Sequence, residues 1–184
     1  MATILGVIAD THVPERKREL PLAALDVFHS QAVATILHAG DLSTSRVLSQ
    51  LAEIAPVHAV RGNTDFLLMG KLPWIRHLTF EGVSIGMAHG HGNWLKYAYN
   101  RVDYAFHGPK KFTYYEETAR RQLPGVQVVV CGHTHVPANY RVQGQLIFNP
   151  GSACCPQRVI PGLRASVGLL HIEKGNVRGE IVFI

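Results

Sequence analysis

The sequence predicts a layered α/β fold with a mixed sheet, on three observations. Short, nearly continuous apolar runs recur through the first two thirds of the chain, amphipathic helix-like stretches separate the earliest of them, and the last third is strand-like segments joined by tight turns. Apolar runs of this kind fit strands covered on both faces, either by helices or by a second packed sheet.

The first three strands are TILGVIA (3–9), ATILHA (34–39) and PVHAVRG (56–62). Between them, PLAALDVFHSQ (21–31) carries apolar residues at helical spacing with Pro21 near its start, and SRVLSQLAEIA (45–55) follows Ser43 and Thr44, whose hydroxyls suit an N-cap. RHLTFEGVSIGMAHG reads as two strands turning at Glu81-Gly82, the second being VSIGMAHG (83–90). Residues 94–123 read as mainly helical with an interruption at Gly108-Pro109, and VQVVVCG (126–132) as a buried strand. ANYRVQGQLIFNP and ASVGLLHIEKGNVRGEIVFI read as hairpins turning at Gly144 and at Gly175-Asn176.

The 184 residues suit one domain, 1–184, large enough to bury a core without disulfides. With 47% hydrophobic and 17% charged residues and no low-complexity run, the composition excludes disorder. No stretch reaches the roughly 18 apolar residues of a membrane span, and the N-terminal apolar run lacks a basic leader and stops at Asp10. Cys131, Cys154 and Cys155 have neither disulfide-framework number nor CxxC spacing, so they read as small buried residues. These features predict a cytoplasmic protein. A net charge of +5 favours anionic partners, but the basic residues are scattered apart from Lys110-Lys111 and Arg120-Arg121, so no nucleic-acid groove is indicated. The eleven histidines are the compositional anomaly.

Polar residues fall where the apolar runs end. Asp10 and His12 follow the first, Asp41 the second, Asn63 the third, His89 the VSIGMA strand, and His133 with His135 the VVVCG strand. Ligands of open α/β sheets bind at the carboxyl ends of strands, so these seven donors face one rim. Singly, each has an ordinary reading: Asp10 and Asp41 as turn or cap residues, Asn63 as a turn after Gly62, His89 as a hydrogen-bonded interior residue. Together they form an imidazole, carboxylate and amide set without thiolate, which suits Mn, Fe, Co, Ni or Zn. Seven donors exceed what one ion needs, and a bridging carboxylate would serve two.

The ordered motifs D-T-H (10–12), G-D (40–41), G-N-T-D (62–65), H-G-H-G (89–92), G-H-T-H (132–135) and N-P-G-S (149–152) make the chain resemble the calcineurin-like metallophosphoesterase superfamily, in particular its small single-domain phosphodiesterase branch. The resemblance implies a two-sheet αβ/βα sandwich with a dinuclear centre at the C-terminal ends of its strands. It implies that Asp10, His12 and His135 hold one divalent ion, that Asn63, His89 and His133 hold the other, and that Asp41 bridges them. Manganese is the first expectation, with nickel, iron, cobalt or zinc as alternatives. His91 is expected beside the ligands, orienting one or meeting the substrate, and is with Asp41 a candidate catalytic residue.

The implied chemistry is hydrolysis of a P–O bond in a small phosphoester by hydroxide formed at the metals, without a covalent enzyme intermediate. Thr64 stands where many members carry a histidine that protonates the leaving group, so esters with acidic leaving groups are expected to be preferred unless His91 or water supplies the proton. Asp65 either orients the Asn63 loop or closes a surface turn; Asn149, Gly151 and Ser152 either shape a loop near the site or make a plain turn; Arg158 either contacts phosphate or pairs on the surface. The main rival is a non-catalytic scaffold on the same fold, as the retromer scaffold subunit resembles this branch while lacking a full catalytic set. The presence of all seven donors favours an enzyme. A TIM-barrel hydrolase using HxH needs about 250 residues, more than are here. The stretch 93–115, rich in aromatic residues, covers the site, forms a homo-oligomer contact, or packs as core helices.

Overall fold

A computed structural model describes residues 3–68, 70–108 and 110–184. Two five-stranded mixed sheets pack face to face. In chain order, the first sheet takes β1 (Thr3–Ile8), β2 (Thr35–His38), β3 (Val57–Ala59), β9 (Ser166–Glu173) and β10 (Asn176–Phe183), arranged β10-β9-β1-β2-β3. The second takes β4 (Ile75–Phe80), β5 (Val83–Ala88), β6 (Val128–Val130), β7 (Pro137–Val142) and β8 (Gln145–Pro150), arranged β4-β5-β6-β8-β7. Helices α1 (Leu22–Ser30) and α2 (Ser45–Ala52) belong to the first half, and α3 (Trp94–His107) and α4 (Phe112–Gln122) lie between β5 and β6.

The continuous apolar runs follow from burial on both faces. Leu5 and Val7 of β1 pack into the layer between the sheets, with Leu37, Ile85, Met87, Val128, Val130, Phe148 and Leu170. Ile8 faces the other way, joining Phe28 of α1 and Val47 and Leu51 of α2 in a second core. Val129 and Ile147 meet Ala119 and Leu123 of α4 in a third. Each fully buried aliphatic or aromatic side chain contributes roughly 1.5–3 kcal/mol.

The strands are shorter than the apolar runs because the residues after them turn away into rim loops. β3 ends at Ala59 and β6 at Val130 rather than at Gly62 and Gly132. Helix α2 ends at Ala52, three residues before the predicted end; the Ile54 and Ala55 N–H groups both turn back to the Leu51 carbonyl, at 3.0 and 3.3 Å, ahead of Pro56. Ser43 and Thr44 do not cap it: Thr44 Oγ1 donates to the Val13 carbonyl at 3.2 Å. Gly108, with φ of 76°, separates α3 from α4, while Pro109 of the predicted interruption lies outside the described residues. Cys131 and Cys154 are buried and Cys155 half-buried, all as free thiols. No helix among the described residues is long and apolar enough to cross a membrane.

His38, at the end of β2, is fully buried; its Nδ1 accepts the Gly40 N–H at 3.2 Å and its Nε2 lies 3.2 Å from Thr11 Oγ1. Burial, then the positive charge of His89, lowers its pKa to about 3 from an ordinary 6.5. The native state therefore binds fewer protons than the unfolded state between these values, and the contribution is full above 6.5 and lost as pH falls towards 3. Urea unfolding at pH 7 and pH 5 is expected to show about 2 kcal/mol of acid-induced loss from this residue, absent in His38→Gln. Equal pH dependence in both proteins would contradict it.

Candidate metal centre

The predicted donors meet at one rim, where the C-terminal ends of β1, β2, β3, β5 and β6 converge. Asp10, His12, Asp41, His133 and His135 all have left-handed backbone, with φ between 47° and 72°. Non-glycine residues there carry strain of the order of 1 kcal/mol or more. The turns re-aim each chain end immediately after its strand, which brings side chains from both sheets into one cluster.

Asp10, His12 and His135 form one group, and Asp10, Asp41 and His89 another, each with ligand atoms within 4.8 Å of one another. Asp41 Oδ2 lies 3.6 Å from His12 Nε2 and 3.4 Å from His89 Nε2, so it reaches a histidine of each group, and Asp10 belongs to both. Asp10 Oδ1 is 3.5 Å from His135 Nε2 and 3.8 Å from His89 Nε2. Asn63 Oδ1 is 2.9 Å from His133 Nδ1, so all seven donors are contiguous. Both Asp10 oxygens also accept the His133 N–H, at 3.1 and 2.9 Å, which ties β1 to β6.

Hydrogen bonds behind the cluster fix which nitrogens face it. His89 Nδ1 donates to the Ala39 carbonyl at 2.7 Å, and His135 Nδ1 to the Cys155 carbonyl at 2.5 Å. With Nδ1 as the donor, each ring has Nε2 facing inward, the nitrogen that a metal ligand of this orientation uses. His135 Nε2 is only 3.3 Å from His12 Nε2. Facing lone pairs repel unless a proton or a cation stands between them, so the donor set fits divalent ions.

Without metal, the same crowding sets the charges. Burial opposes protonation of His89, but Asp41 and then Asp10 outweigh it and raise its pKa to about 10. Burial likewise opposes ionisation of Asp41, yet His89 and the Thr64 N–H hold its carboxyl well below the usual range. Burial raises Asp10 to about 6 against the pull of His135 and His89, and lowers His12 to about 4 despite Asp41. A metal-free site therefore keeps a His89–Asp41 ion pair that an incoming ion must displace. Adding manganese at 100 to 1,000 times its Kd is expected to stabilise the protein by about 3–4 kcal/mol per site, a rise of about 10 °C in Tm for a chain of this size. No rise would mean that the donors take up no ion.

Asp65, which the sequence left open, is buried and holds the site loops. Its Oδ1 accepts the N–H groups of Leu42 and Ser43, each at 2.8 Å, and its Oδ2 those of Asp41 at 2.9 Å and Gly62 at 2.7 Å. Gly62 is required beside it: a Cβ there would stand 2.1 Å from Asp41 Oδ1. Ser152 Oγ donates to the Asp10 carbonyl at 2.7 Å, and Asn149 Nδ2 to the Gly132 carbonyl at 3.0 Å, so the N-P-G-S segment buttresses the ligand loops. Arg158 is exposed.

The cluster opens into a cleft of about 370 Å³, lined also by Arg16, Thr64, Tyr97, Asn100 and Tyr115. Sequence reasoning did not single out Arg16, Tyr97, Asn100 or Tyr115. The only available signal was the aromatic density of 93–115, which did not distinguish cleft from core. Tyr115 packs edge-on against His133 with ring centroids 4.6 Å apart, and Asn100 Oδ1 accepts the Tyr114 hydroxyl at 3.0 Å. His91 is buried beside His89 at a centroid distance of 5.3 Å, next to the seven donors.

Two mixed sheets with an Asp/His cluster at their shared rim define a metallophosphoesterase-like protein. The chain belongs to the calcineurin-like phosphoesterase superfamily, whose domain profile matches residues 4–175. It is 34% identical over 179 residues to a probable metallophosphoesterase of Methanothermobacter thermautotrophicus, covering 97% of this chain and 91% of that protein. It is 26% identical over 181 residues to a phosphodiesterase of Methanocaldococcus jannaschii, covering 97% and 98%. Among solved structures, wild-type Vps29 of Entamoeba histolytica in complex with zinc superposes with a TM-score of 0.68 at 26% identity, covering 98% of this chain and 99% of that one.

Proposed function

We propose that the protein is a dinuclear metal-dependent phosphodiesterase that hydrolyses a P–O bond of a small phosphate diester with water as the nucleophile. The observation that carries this reading is the placement of Asp41 Oδ2 between the His12 and His89 nitrogens, at 3.6 and 3.4 Å, with donors on either side of it. Asp10, His12 and His135 would hold one ion and Asn63, His89 and His133 the other, with Asp41 between them. Imidazole, carboxylate and amide donors suit manganese, nickel, iron, cobalt or zinc, and manganese is our first choice among them; the zinc complex of the Vps29 neighbour supports a divalent ion in this fold. When bound, two such ions lower the pKa of a coordinated water towards about 7 and offset charge on the phosphoryl group.

The chain's own residues supply position and enclosure. The Thr64 N–H donates to Asp41 Oδ1 at 2.9 Å and sets that carboxylate between the two donor groups. Arg16 supplies positive charge at the rim for the diester anion, and Tyr97, Asn100 and Tyr115 wall the cleft. Burial above all lowers the His91 pKa, to about 3 in the metal-free protein, so its neutral ring can donate a hydrogen bond but holds no spare proton. The Thr64 hydroxyl is no better an acid. The leaving oxygen departs largely unprotonated, which is why acidic leaving groups are favoured.

The test is hydrolysis of bis(4-nitrophenyl) phosphate beside 4-nitrophenyl phosphate by metal-stripped protein with each metal added back. Metal-dependent cleavage of the diester in preference to the monoester is expected. No cleavage by folded, metal-loaded protein would favour the second reading, a binding module, which the Vps29 likeness and an exposed apolar stripe on α3 support. That stripe comprises Leu95, Tyr99, Val102 and Phe106.

A further inference from the structure

His91 has a neighbour that the proposed reaction does not use. Beside it lies a second cavity of about 470 Å³, lined by Trp74, His89, Gly90, His91, Gly92 and Leu95 among others. Its volume lies within the range of small-molecule pockets. The indole of Trp74 is held in place on two sides: the Arg61 guanidinium lies 3.8 Å from its centroid, and the His91 ring is 5.0 Å from it. The same His91 ring stands 6.0 Å from His133 and 5.7 Å from Tyr97, both of which line the cleft. His91 therefore lines an apolar pocket and touches two residues of the metal-site cleft, while His89, one of the seven donors, lines the same pocket.

His91 itself points to a ligand. His91 is only 3% exposed, and neither of its ring nitrogens has a hydrogen-bond partner among the described residues. Leaving a buried imidazole unsatisfied is unfavourable unless a bound group accepts from it or donates to it. A phosphate diester presents two substituents at its phosphorus. With the phosphorus at the Asp41 end of the cleft, one substituent would lie in the polar cleft beside Arg16 and Asn100, and the other would reach past His91 towards Trp74, with a phosphoryl or ester oxygen as the partner of the His91 ring. We propose, resting on the diesterase reading above, that the Trp74 cavity receives one ester substituent of the substrate and selects an aromatic or heteroaromatic group over a short alkyl one. An aromatic edge meets the indole and imidazole walls favourably, whereas a methyl group leaves the pocket unfilled. The substrate class is thus an aryl or nucleoside phosphodiester rather than a dialkyl one.

The discriminating measurement is calorimetric binding of methyl phenylphosphonate and methyl methylphosphonate, two diester-like monoanions that differ by phenyl against methyl, to the manganese-loaded protein. The phenyl compound is expected to bind at least about ten-fold more tightly. Trp74→Ala, and independently Leu95→Arg at the lining, should bring the ratio to within about two-fold; Leu95 is 83% exposed, so its replacement leaves the fold undisturbed. A ratio near one in the parent protein, or a ratio that neither variant alters, would overturn the proposal. Hydrolysis of bis(4-nitrophenyl) phosphate, run in parallel, separates the two readings. A large phenyl preference without hydrolysis upholds the pocket and removes the diesterase; hydrolysis without the preference does the reverse.

Discussion

Asp65→Ala is expected to lower folding stability by about 3–5 kcal/mol and to abolish metal binding together with it. The Asp65 carboxylate is 1% exposed and accepts four backbone N–H groups, from Asp41, Leu42, Ser43 and Gly62. Removing it leaves four donors facing a cavity. Each unsatisfied buried group costs about 1–3 kcal/mol, and water entering the cavity recovers part of the sum. Asp65→Asn should be intermediate, since its amide nitrogen would point donors at donors on one side while the remaining oxygen still accepts. Urea unfolding of both variants, with exposed Asp26→Ala as a control within about 0.5 kcal/mol, reads the effect. A loss below about 1 kcal/mol for Asp65→Ala would show that the two loops are held by other contacts.

Asp65 also shows where sequence reading stops. A carboxylate two residues after Asn63 looks the same whether it gathers backbone donors or faces water; only the return of residues 41–43 to the same place decides it. The donors themselves were legible because each follows an apolar run, and a run that ends in a polar residue marks the rim of a sheet. The two-layer arrangement was legible from the same runs for the same reason. Strand order was not: β9 pairs with β1 across most of the chain, Leu170 opposite Leu5, and nothing local in either strand encodes that partner.

The helices carried still less information. Tyr97 and Asn100 reach the cleft from α3, while Leu95, Tyr99, Val102 and Phe106 on the same helix are exposed. The sequence reads residues 94–123 as mainly helical but leaves open whether 93–115 covers the site, forms an oligomer contact or packs as core. Trp74 precedes β4 in a connection without a regular pattern, so its place beside His91 depends on the tertiary fold alone. Legibility therefore follows the range of the interactions: strand ends are set locally, and the second cavity is set by segments that meet only on folding.

Asp41→Ala is expected to reduce metal-dependent diesterase activity by at least about a thousand-fold while the chain stays folded. The size follows from position. Asp41 Oδ2 faces His12 Nε2 and His89 Nε2 at once, and its Oδ1 is anchored by the Thr64 N–H, so its loss removes the carboxylate nearest to both nitrogens. On the proposed reading Asp41 would hold both ions in register; losing such a group removes several kcal/mol of transition-state stabilisation, and each 1.36 kcal/mol is a factor of ten in rate. The metal-free variant should also lose the partner that keeps His89 protonated, since Asp41 is the chief group raising that pKa against burial. The His89 imidazole resonances in NMR spectra of metal-free protein at neutral pH would then be those of a neutral ring in the variant and a charged ring in the parent. Measuring bound metal beside activity tells which role fails. Reduced stoichiometry with lost activity is the result expected of a bridging carboxylate, whereas full metal occupancy with less than ten-fold loss would place the bridge elsewhere, with Asp10, whose Oδ1 faces His135 and His89, the carboxylate next in position.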